Sequence, residues 1–264
     1  MKRDDLQINE DHSWPDSKAG KDLQMNAALI FAGGTGKRMN SKAVPKQFLI
    51  LYGKPLIIYT LEKFENHPDI DGIVIACLEE WIPKMKKYCE QFNITKVRAI
   101  VPGGASGQES IYHGLKSISS MYSDDDVVLI HDGVRPLVDP NTITKAIECA
   151  NTKGNAITVT PAIETIFLDN EADGEVGRII DRKQCLMARA PQCFHIKDIM
   201  ACHTKAIEEQ KDDFIDSASM MKYYGHKLFT VEGRAENIKI TTPVDFYMFR
   251  AIIDARENQQ IFGL

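Results

Sequence analysis

The sequence predicts an α/β protein with a mostly parallel twisted sheet, helices on both faces and a protruding β-arm. Short apolar runs alternate with amphipathic stretches along most of the chain, which is typical of parallel sheets covered by helices. A glycine-rich loop follows the first of these apolar runs. An irregular segment at 161–183 then interrupts the alternation. Together these observations predict a Rossmann-like α/β architecture with one added arm.

The elements follow in order from this pattern. Residues 1–24 are polar and lack apolar periodicity, so we expect a flexible N-terminal extension before a single domain at 25–264. The predicted strands are 27–31, 72–77, 97–101, 126–131 and 155–160. The predicted helices between them are 55–65, 81–92, 108–119 and 140–152. In such sheets, ligands bind beyond the carboxyl ends of the strands.

The segment 161–183 departs from the alternation. It contains two short apolar runs around an acidic, glycine-containing turn, and it predicts a β-hairpin too short to hold a core of its own. Beyond it, the pattern predicts helices at 196–208 and 216–224, a strand at 227–231 and a final helix at 244–257.

Composition excludes several classes of protein. A chain of 264 residues is long enough to bury a full core. Its formal net charge of −5 gives no chain-wide basic surface, so nucleic acid is not an expected partner. No apolar run reaches membrane-spanning length and no signal-peptide core is present, so we expect a cytoplasmic protein without a membrane partner. The six cysteines form no Cys-x-x-Cys pair and are expected to be free thiols in or near the core.

The glycine loop after the first strand carries the chemistry. Glycines at 33, 34 and 36 leave no side chains between the backbone and an approaching anion, so N–H groups can surround a phosphate. Two cations, Arg38 and Lys46, follow where a polyphosphate would need its charge neutralised. The loop therefore indicates nucleotide chemistry at the end of the first strand.

Two better-known glycine loops do not fit this segment. A P-loop would need glycine at position 31 and Ser or Thr at 38, where this chain has Phe31 and Arg38. A dinucleotide fingerprint would need Gly or Ala at 39, which is Met39, and this argues against an NAD-type oxidoreductase. A non-catalytic nucleotide-binding protein is the other alternative, but it would be expected to lack Arg38 or Lys46.

Several separated motifs carry a family resemblance. They are Ala-Gly-Gly-x-Gly-x-Arg-Met at 32–39, Pro-Lys-Gln-Phe-Leu at 45–49, Gly-Lys-Pro at 53–55 and Thr-Leu-Glu-Lys-Phe at 60–64. From about Met25 to about Ala255 the chain resembles the sugar-alcohol-phosphate cytidylyltransferases, which act on ribitol 5-phosphate or on 2-C-methyl-D-erythritol 4-phosphate. The resemblance implies that CMP moves from CTP to a polyol phosphate, giving a CDP-polyol and pyrophosphate. It also implies Mg²⁺ or another divalent cation as cofactor.

Nucleotidyl transfer builds negative charge on the oxygens around the α-phosphorus and on the leaving pyrophosphate. Fixed cations, usually with Mg²⁺, stabilise that charge. The resemblance implies that Arg38 and Lys46 do so as the catalytic residues. A phosphate monoester is already ionised at neutral pH, so no general base is required.

The resemblance also implies the nucleotide-binding residues. Asp132 is expected beside the ribose and is the one candidate metal ligand, whereas His131 is interpreted as orienting the turn. For Ser110, a role as a helix N-terminal cap stays open beside a contact to the base. The implied nucleotide contacts are Ala32, Gly33, Gly34, Thr35, Gly36, Gly103, Gly104, Ala105, Ser110 and Asp132.

For the acceptor, the resemblance implies cationic and hydroxyl contacts, some of them on the hairpin. Asp216 is equally interpretable as a helix N-cap. In the resembled family the hairpin exchanges between two subunits, so a homodimer through this arm is expected. The implied acceptor-binding residues are Arg135, Thr165, Arg182, Asp216 and Lys239.

The identity of the polyol is the finer question. The stretch between Arg38 and Lys46 is one residue longer than in the methylerythritol branch, which favours ribitol 5-phosphate. The segments 178–182 and 231–239 look more like the methylerythritol branch, which stays the alternative. Gly107 and Ala190 also depart from the family, which commonly has Arg and Thr there, and these departures bear on nucleotide and acceptor selectivity.

Overall fold

The structure, a computed structural model, describes residues 24–34, 44–170 and 175–262. The extension predicted at 1–24 therefore lies almost wholly outside the described residues.

A seven-stranded sheet forms the centre of the protein, with strand order β11-β7-β10-β6-β1-β4-β5. All neighbours pair in parallel except β10, so the predicted fold class, a mostly parallel α/β sheet, is confirmed. The two-stranded ladders β2-β3 and β8-β9 lie outside it. The strands are β1 (Asn26–Ala32), β2 (Ile50–Leu51), β3 (Lys54–Pro55), β4 (Gly72–Cys77), β5 (Val97–Pro102), β6 (Val127–Asp132), β7 (Asn155–Pro161), β8 (Ile166–Asp169), β9 (Val176–Ile180), β10 (Leu186–His195) and β11 (Thr230–Glu232).

Helices connect the strands and cover both faces of the sheet. They are α1 (Leu56–Glu65), α2 (Ile82–Gln91), α3 (Gly107–Ser119), α4 (Pro140–Lys153), α5 (Ile196–Glu208), α6 (Ser217–Tyr223) and α7 (Pro243–Phe262). Each predicted helix is present, with ends that differ by a few residues.

Two apolar clusters account for the two covered faces. Along β1, Ala28 and Ile30 pack into the cluster that includes α1, α2 and α4, while Ala27 and Leu29 pack into the cluster with α3 and α5. A central parallel strand is buried on both faces, so its sequence is a continuous apolar run. This is why the strands at the middle of the sheet were predictable.

Strand β10 was not predicted, because its sequence carries Arg189 and Pro191 and lacks regular alternation. It pairs antiparallel with both β6 and β7, and its register shifts between Ala188 and Gln192. The hydroxyl of Thr158 on β7 donates to the Pro191 carbonyl at 2.6 Å. The strand thus bends at the edge of the sheet where the carboxyl ends of β6 and β7 lie.

The predicted hairpin is an isolated two-stranded ladder of β8 and β9, outside the central sheet. Its apolar side chains face outward, with Ile163 68% and Ile179 62% exposed. None of the described helices is both long and apolar enough to cross a membrane. All six cysteines are free and at least half-buried, as expected.

Candidate active site

The site forms where the carboxyl ends of β1, β4 and β6 meet. Parallel pairing aligns Phe31 on β1 with Asp132 on β6, and Ala32 with Cys77 on β4. The first residues of the glycine loop therefore lie beside the turn that follows Asp132. The prediction that these two segments share one edge of the sheet is confirmed.

A buried glutamine fixes the start of the glycine loop. Gln47 Nε2 donates to the carbonyls of Ala32 at 2.6 Å and of Gly34 at 3.2 Å. Because Gln47 follows Lys46 in the same 3₁₀ turn, this clamp also sets the position of that lysine. A Cβ atom on Gly34 would lie 4.0 Å from Cε of Lys46, so the lysine stem runs beside the loop backbone. The structure thus places Lys46 against Gly34, whereas Thr35, Gly36 and Arg38 lie outside the described residues.

The second glycine segment packs directly against the first. A Cβ atom on Gly33 would approach Ser110 Oγ to 2.8 Å, and one on Gly103 would approach the same atom to 3.0 Å. Both positions need glycine because their backbones close around one buried hydroxyl. Ser110 Oγ accepts from the N–H of Gly104 at 2.9 Å and donates to the Ser106 carbonyl at 2.8 Å.

These contacts define what Ser110 does in this fold. The N-cap of α3 is Ser106, whose side chain accepts from Glu109 N, so the helix-cap interpretation of Ser110 was wrong. The Ser110 hydroxyl instead holds the loop at 103–106 in shape. Ala105 belongs to the same loop, and its N–H donates to Oε2 of Glu109 at 2.6 Å.

An ion cluster surrounds Asp132. Arg135 Nε donates to Asp132 Oδ2 at 2.7 Å, and Lys239 Nζ lies 2.6 Å from Oδ1. Burial alone would raise the pKa of Asp132, but the charges and hydrogen bonds of Lys239 and Arg135 lower that pKa to about 2. The carboxylate is therefore ionised at neutral pH and joins two cations from distant parts of the chain.

The neighbouring side chains hold this cluster rigidly. Arg135 Nη1 donates to the Asn237 carbonyl at 2.9 Å, and Asn237 Nδ2 donates to the Ala190 carbonyl at 2.7 Å. Buried His131 contacts the Arg135 carbonyl through Nε2 at 3.0 Å. Burial lowers the pKa of His131 to about 4, so the ring is neutral at pH 7. This agrees with the interpretation that His131 orients the turn.

A cleft of about 480 Å³ opens beside the cluster. Asp132, Arg135 and Lys239 line it on one side, and the loop before α6 with Asp216 lines it on another. Asp216 is the N-cap of α6: its Oδ1 accepts from Ser219 N at 2.8 Å, and its Oδ2 accepts from Gln192 Nε2 at 2.8 Å. The structural alternative for Asp216 is therefore present, although its carboxylate also borders the cleft.

The two candidates on the arm do not join this cleft within one chain. Thr165 is exposed just before β8, and Arg182 is exposed in the turn after β9. The Arg182 guanidinium donates to the carbonyl of Ile163 on the same arm at 3.0 Å. Neither residue lines the cleft described above.

Sequence reasoning missed several polar residues at the site, among them Gln47, Arg189, Gln192 and Asn237. Gln47 was part of a quoted motif, but nothing in its local pattern shows that its amide reaches back to the glycine loop. Arg189 lies on the unpredicted strand β10 and lines the cleft. A charged residue inside a stretch of mostly apolar residues was the available signal.

The parallel sheet, the paired glycine segments and the cations at one edge together define a nucleotide-handling α/β enzyme. Comparisons with known proteins agree. The family model described as 2-C-methyl-D-erythritol 4-phosphate cytidylyltransferase (IspD) matches residues 26–255. The chain belongs to this family, and it is a CTP-dependent cytidylyltransferase.

The matches to individual relatives cover nearly the full length of each relative. A protein from Vibrio parahaemolyticus named ribitol-5-phosphate cytidylyltransferase is 50% identical over 90% of this chain and 100% of its own length. A 2-C-methyl-D-erythritol 4-phosphate cytidylyltransferase from Clostridium botulinum is 38% identical over 88% of this chain and 99% of its own. The crystal structure of 4-diphosphocytidyl-2C-methyl-D-erythritol synthase from Anaerococcus prevotii superposes with a TM-score of 0.74 at 25% identity. The match covers 88% of this chain and 96% of that chain. The family predicted from the motifs is thereby confirmed.

Proposed function

We propose that the enzyme transfers CMP from CTP to D-ribitol 5-phosphate, releasing pyrophosphate. The main support for ribitol 5-phosphate as the acceptor is a relative named ribitol-5-phosphate cytidylyltransferase. This chain is 50% identical to that relative over the relative's whole length. The longer loop between Arg38 and Lys46 supports the same choice. 2-C-methyl-D-erythritol 4-phosphate is the second candidate, favoured by the family model and by the 38% identical relative.

The geometry supports a reaction driven by fixed charge. We expect the triphosphate of CTP at the glycine loop, where Lys46 stands beside Gly34. With Arg38, this lysine would stabilise the charge that develops on the α-phosphoryl oxygens and the leaving pyrophosphate. The acceptor phosphate attacks without losing a proton, so His131, which is buried at this edge of the sheet, has no acid–base task to perform.

Asp132 is the candidate for holding Mg²⁺. No group of three metal-ligating side chains is present in the parts of the chain that the structure describes. Mg²⁺ commonly binds through one or two carboxylates and the phosphates of its substrate, so a single ionised carboxylate at the edge of the cleft fits. When bound, the ion would neutralise charge on the phosphates. Asp132 would have to share its oxygens between the ion and its two cationic partners.

We also propose a homodimer in which the arm crosses to the partner. The exposed apolar side chains of the arm need a covering surface. Exchange by two-fold symmetry would cover them and would bring Thr165 and Arg182 toward the partner's cleft. A cytoplasmic location remains a prediction from the sequence.

Pyrophosphate release from CTP tests the proposal. Purified enzyme with Mg²⁺ should release pyrophosphate with D-ribitol 5-phosphate and at least about tenfold more slowly, as kcat/KM, with 2-C-methyl-D-erythritol 4-phosphate. ATP, GTP and UTP in place of CTP serve as controls. The reverse order of the two acceptors would overturn the ribitol assignment, and no release with any polyol phosphate would overturn the proposed activity.

A further inference from the structure

Arg189 is a cation in the cleft wall without an acidic partner. It lies half-buried on β10, and its Nε donates to the hydroxyl of Thr160 on β7 at 3.3 Å. Within residues 24–34, 44–170 and 175–262 it forms no ion pair, unlike the other two cations of the cleft, Arg135 and Lys239, which share Asp132. A guanidinium has five N–H donors, and a single long hydrogen bond leaves most of them available to a ligand.

The surroundings of Arg189 disfavour an isolated positive charge. Burial lowers its pKa, and the nearby charge of Arg135 lowers it further. Since an arginine stays protonated in proteins, the fold keeps a charge here at a cost to its own stability. Such a cost is expected where a residue serves a ligand.

The carboxylates along the same cleft do not compensate this charge. Asp132 is committed to Arg135 and Lys239, and Asp216 is committed to the cap of α6 and to Gln192. Asp212 and Asp213 also line the cleft, but within the described residues neither forms an ion pair with Arg189, so its charge has no paired carboxylate. A phosphate monoester carries close to two negative charges at neutral pH.

We propose that Arg189, together with Arg135 and Lys239, binds the phosphate group of the polyol-phosphate acceptor and so selects phosphorylated over unphosphorylated polyols. The planar guanidinium would donate two parallel N–H bonds to two phosphate oxygens. Thr160, which accepts from Nε, would hold the fork in orientation. This inference rests on the proposed function, because it takes the acceptor to be a phosphate monoester.

The test compares Arg189→Gln and Arg189→Lys with Arg250→Gln, a matched loss of charge on the exposed side of α7. Arg189→Gln should raise the KM for ribitol 5-phosphate about ten- to hundredfold, the value of a charge-assisted hydrogen bond, and leave the KM for CTP within about threefold. Arg189→Lys should recover part of the loss, because it restores charge without the bidentate fork. Arg250→Gln should change neither KM.

Two inhibitors identify which part of the acceptor is bound. Inorganic phosphate, a competitor for the acceptor, should inhibit Arg189→Gln less by the same factor as the KM rises. Unphosphorylated ribitol should inhibit the wild type and Arg189→Gln to the same extent. Equal acceptor KM values in wild type and Arg189→Gln would overturn the inference, as would weaker inhibition by ribitol with unchanged inhibition by phosphate. Inactivity of the wild type with every polyol phosphate would instead overturn the proposed function, so the two failures are distinguishable.

Discussion

The side chains of the Asp132 cluster are largely buried and paired with each other, whereas many side chains of the β8–β9 arm are exposed. At the cluster, both carboxylate oxygens, two cations and the Nδ2 group of the buried Asn237 amide find partners within the same chain. On the arm, Ile163 and Ile179 are mostly exposed, and the Arg182 guanidinium donates to a carbonyl of the arm itself. The cluster belongs to the folded core, whereas the described part of the arm forms its own ladder of hydrogen bonds and leaves several large apolar side chains exposed.

This difference indicates how substitutions in the two regions should affect stability and activity. Residues of the cluster support the fold and the chemistry together, so their substitution should alter stability as well as activity. Residues of the arm contribute little to the stability of one chain, and their effects should appear only when a partner is present. The following predictions test that division.

The largest effect should come from the glycine loop beside the cluster. Lys46→Ala or Arg38→Ala should lower kcat at least about a hundredfold, because one fixed donor to developing charge is worth roughly 3–4 kcal/mol. Steady-state release of pyrophosphate at saturating CTP measures this loss, and circular dichroism checks the fold.

Lys84→Ala is the matched control, since it removes an exposed lysine from α2. It should retain wild-type kcat. A Lys46→Ala enzyme that keeps more than about a tenth of wild-type kcat would remove this lysine from the catalytic assignment.

The second prediction concerns the arm and asks whether its residues act across an interface. Lys46→Ala and Arg182→Ala chains are each expected to be nearly inactive. When the two chains are mixed at equal amounts and allowed to exchange, half of the dimers should contain one chain of each kind. Each of these mixed dimers has one site with both residues intact. Activity should therefore rise to about a quarter of the wild-type value.

A mixture of Lys46→Ala with Arg38→Ala is the control for this experiment. Both residues lie on the same side of the proposed interface, so no site in the mixed dimer is intact and no activity should return. Recovery in this control, or an active monomer in sedimentation of the wild type, would contradict exchange of the arm.

The sequence predicted the fold better than it predicted the contacts within the site. Strands β1, β4 and β6 are continuous apolar runs, as expected for strands buried on both faces. Strand β10 escaped prediction because Pro191 and Arg189 interrupt its pattern, and these residues are tolerated only where the strand bends beside the cleft.

Within the site, features that depend on local sequence were predictable, whereas contacts between distant segments were not. The glycine loop and Asp132 could be located because glycine spacing and strand ends are local features. The bond from Gln47 to the glycine loop, and the sharing of Asp132 between Arg135 and Lys239, depend on how separate segments meet. Only the folded chain provides that information.

The smallest predicted effect is the contribution of the cluster to stability. Asp132→Asn should lower the free energy of unfolding by about 2.5 kcal/mol at pH 7. The folded-state pKa of Asp132 is about 2, below the value of about 4 for an unfolded chain, and each unit of difference corresponds to about 1.4 kcal/mol. A depressed pKa gives stability that is fully present above pH 4 and is lost as the pH falls toward 2. The measurement is urea unfolding of both proteins between pH 7 and pH 3.

The difference between wild type and Asp132→Asn should therefore narrow as the pH falls below 4, because the unfolded wild-type carboxyl takes up a proton there while the folded one stays ionised until about pH 2. Asp124→Asn removes the same charge from an exposed position and should change the free energy of unfolding by less than about 0.5 kcal/mol. A constant difference across this pH range would mean that shape, and not charge, makes Asp132 important to the fold.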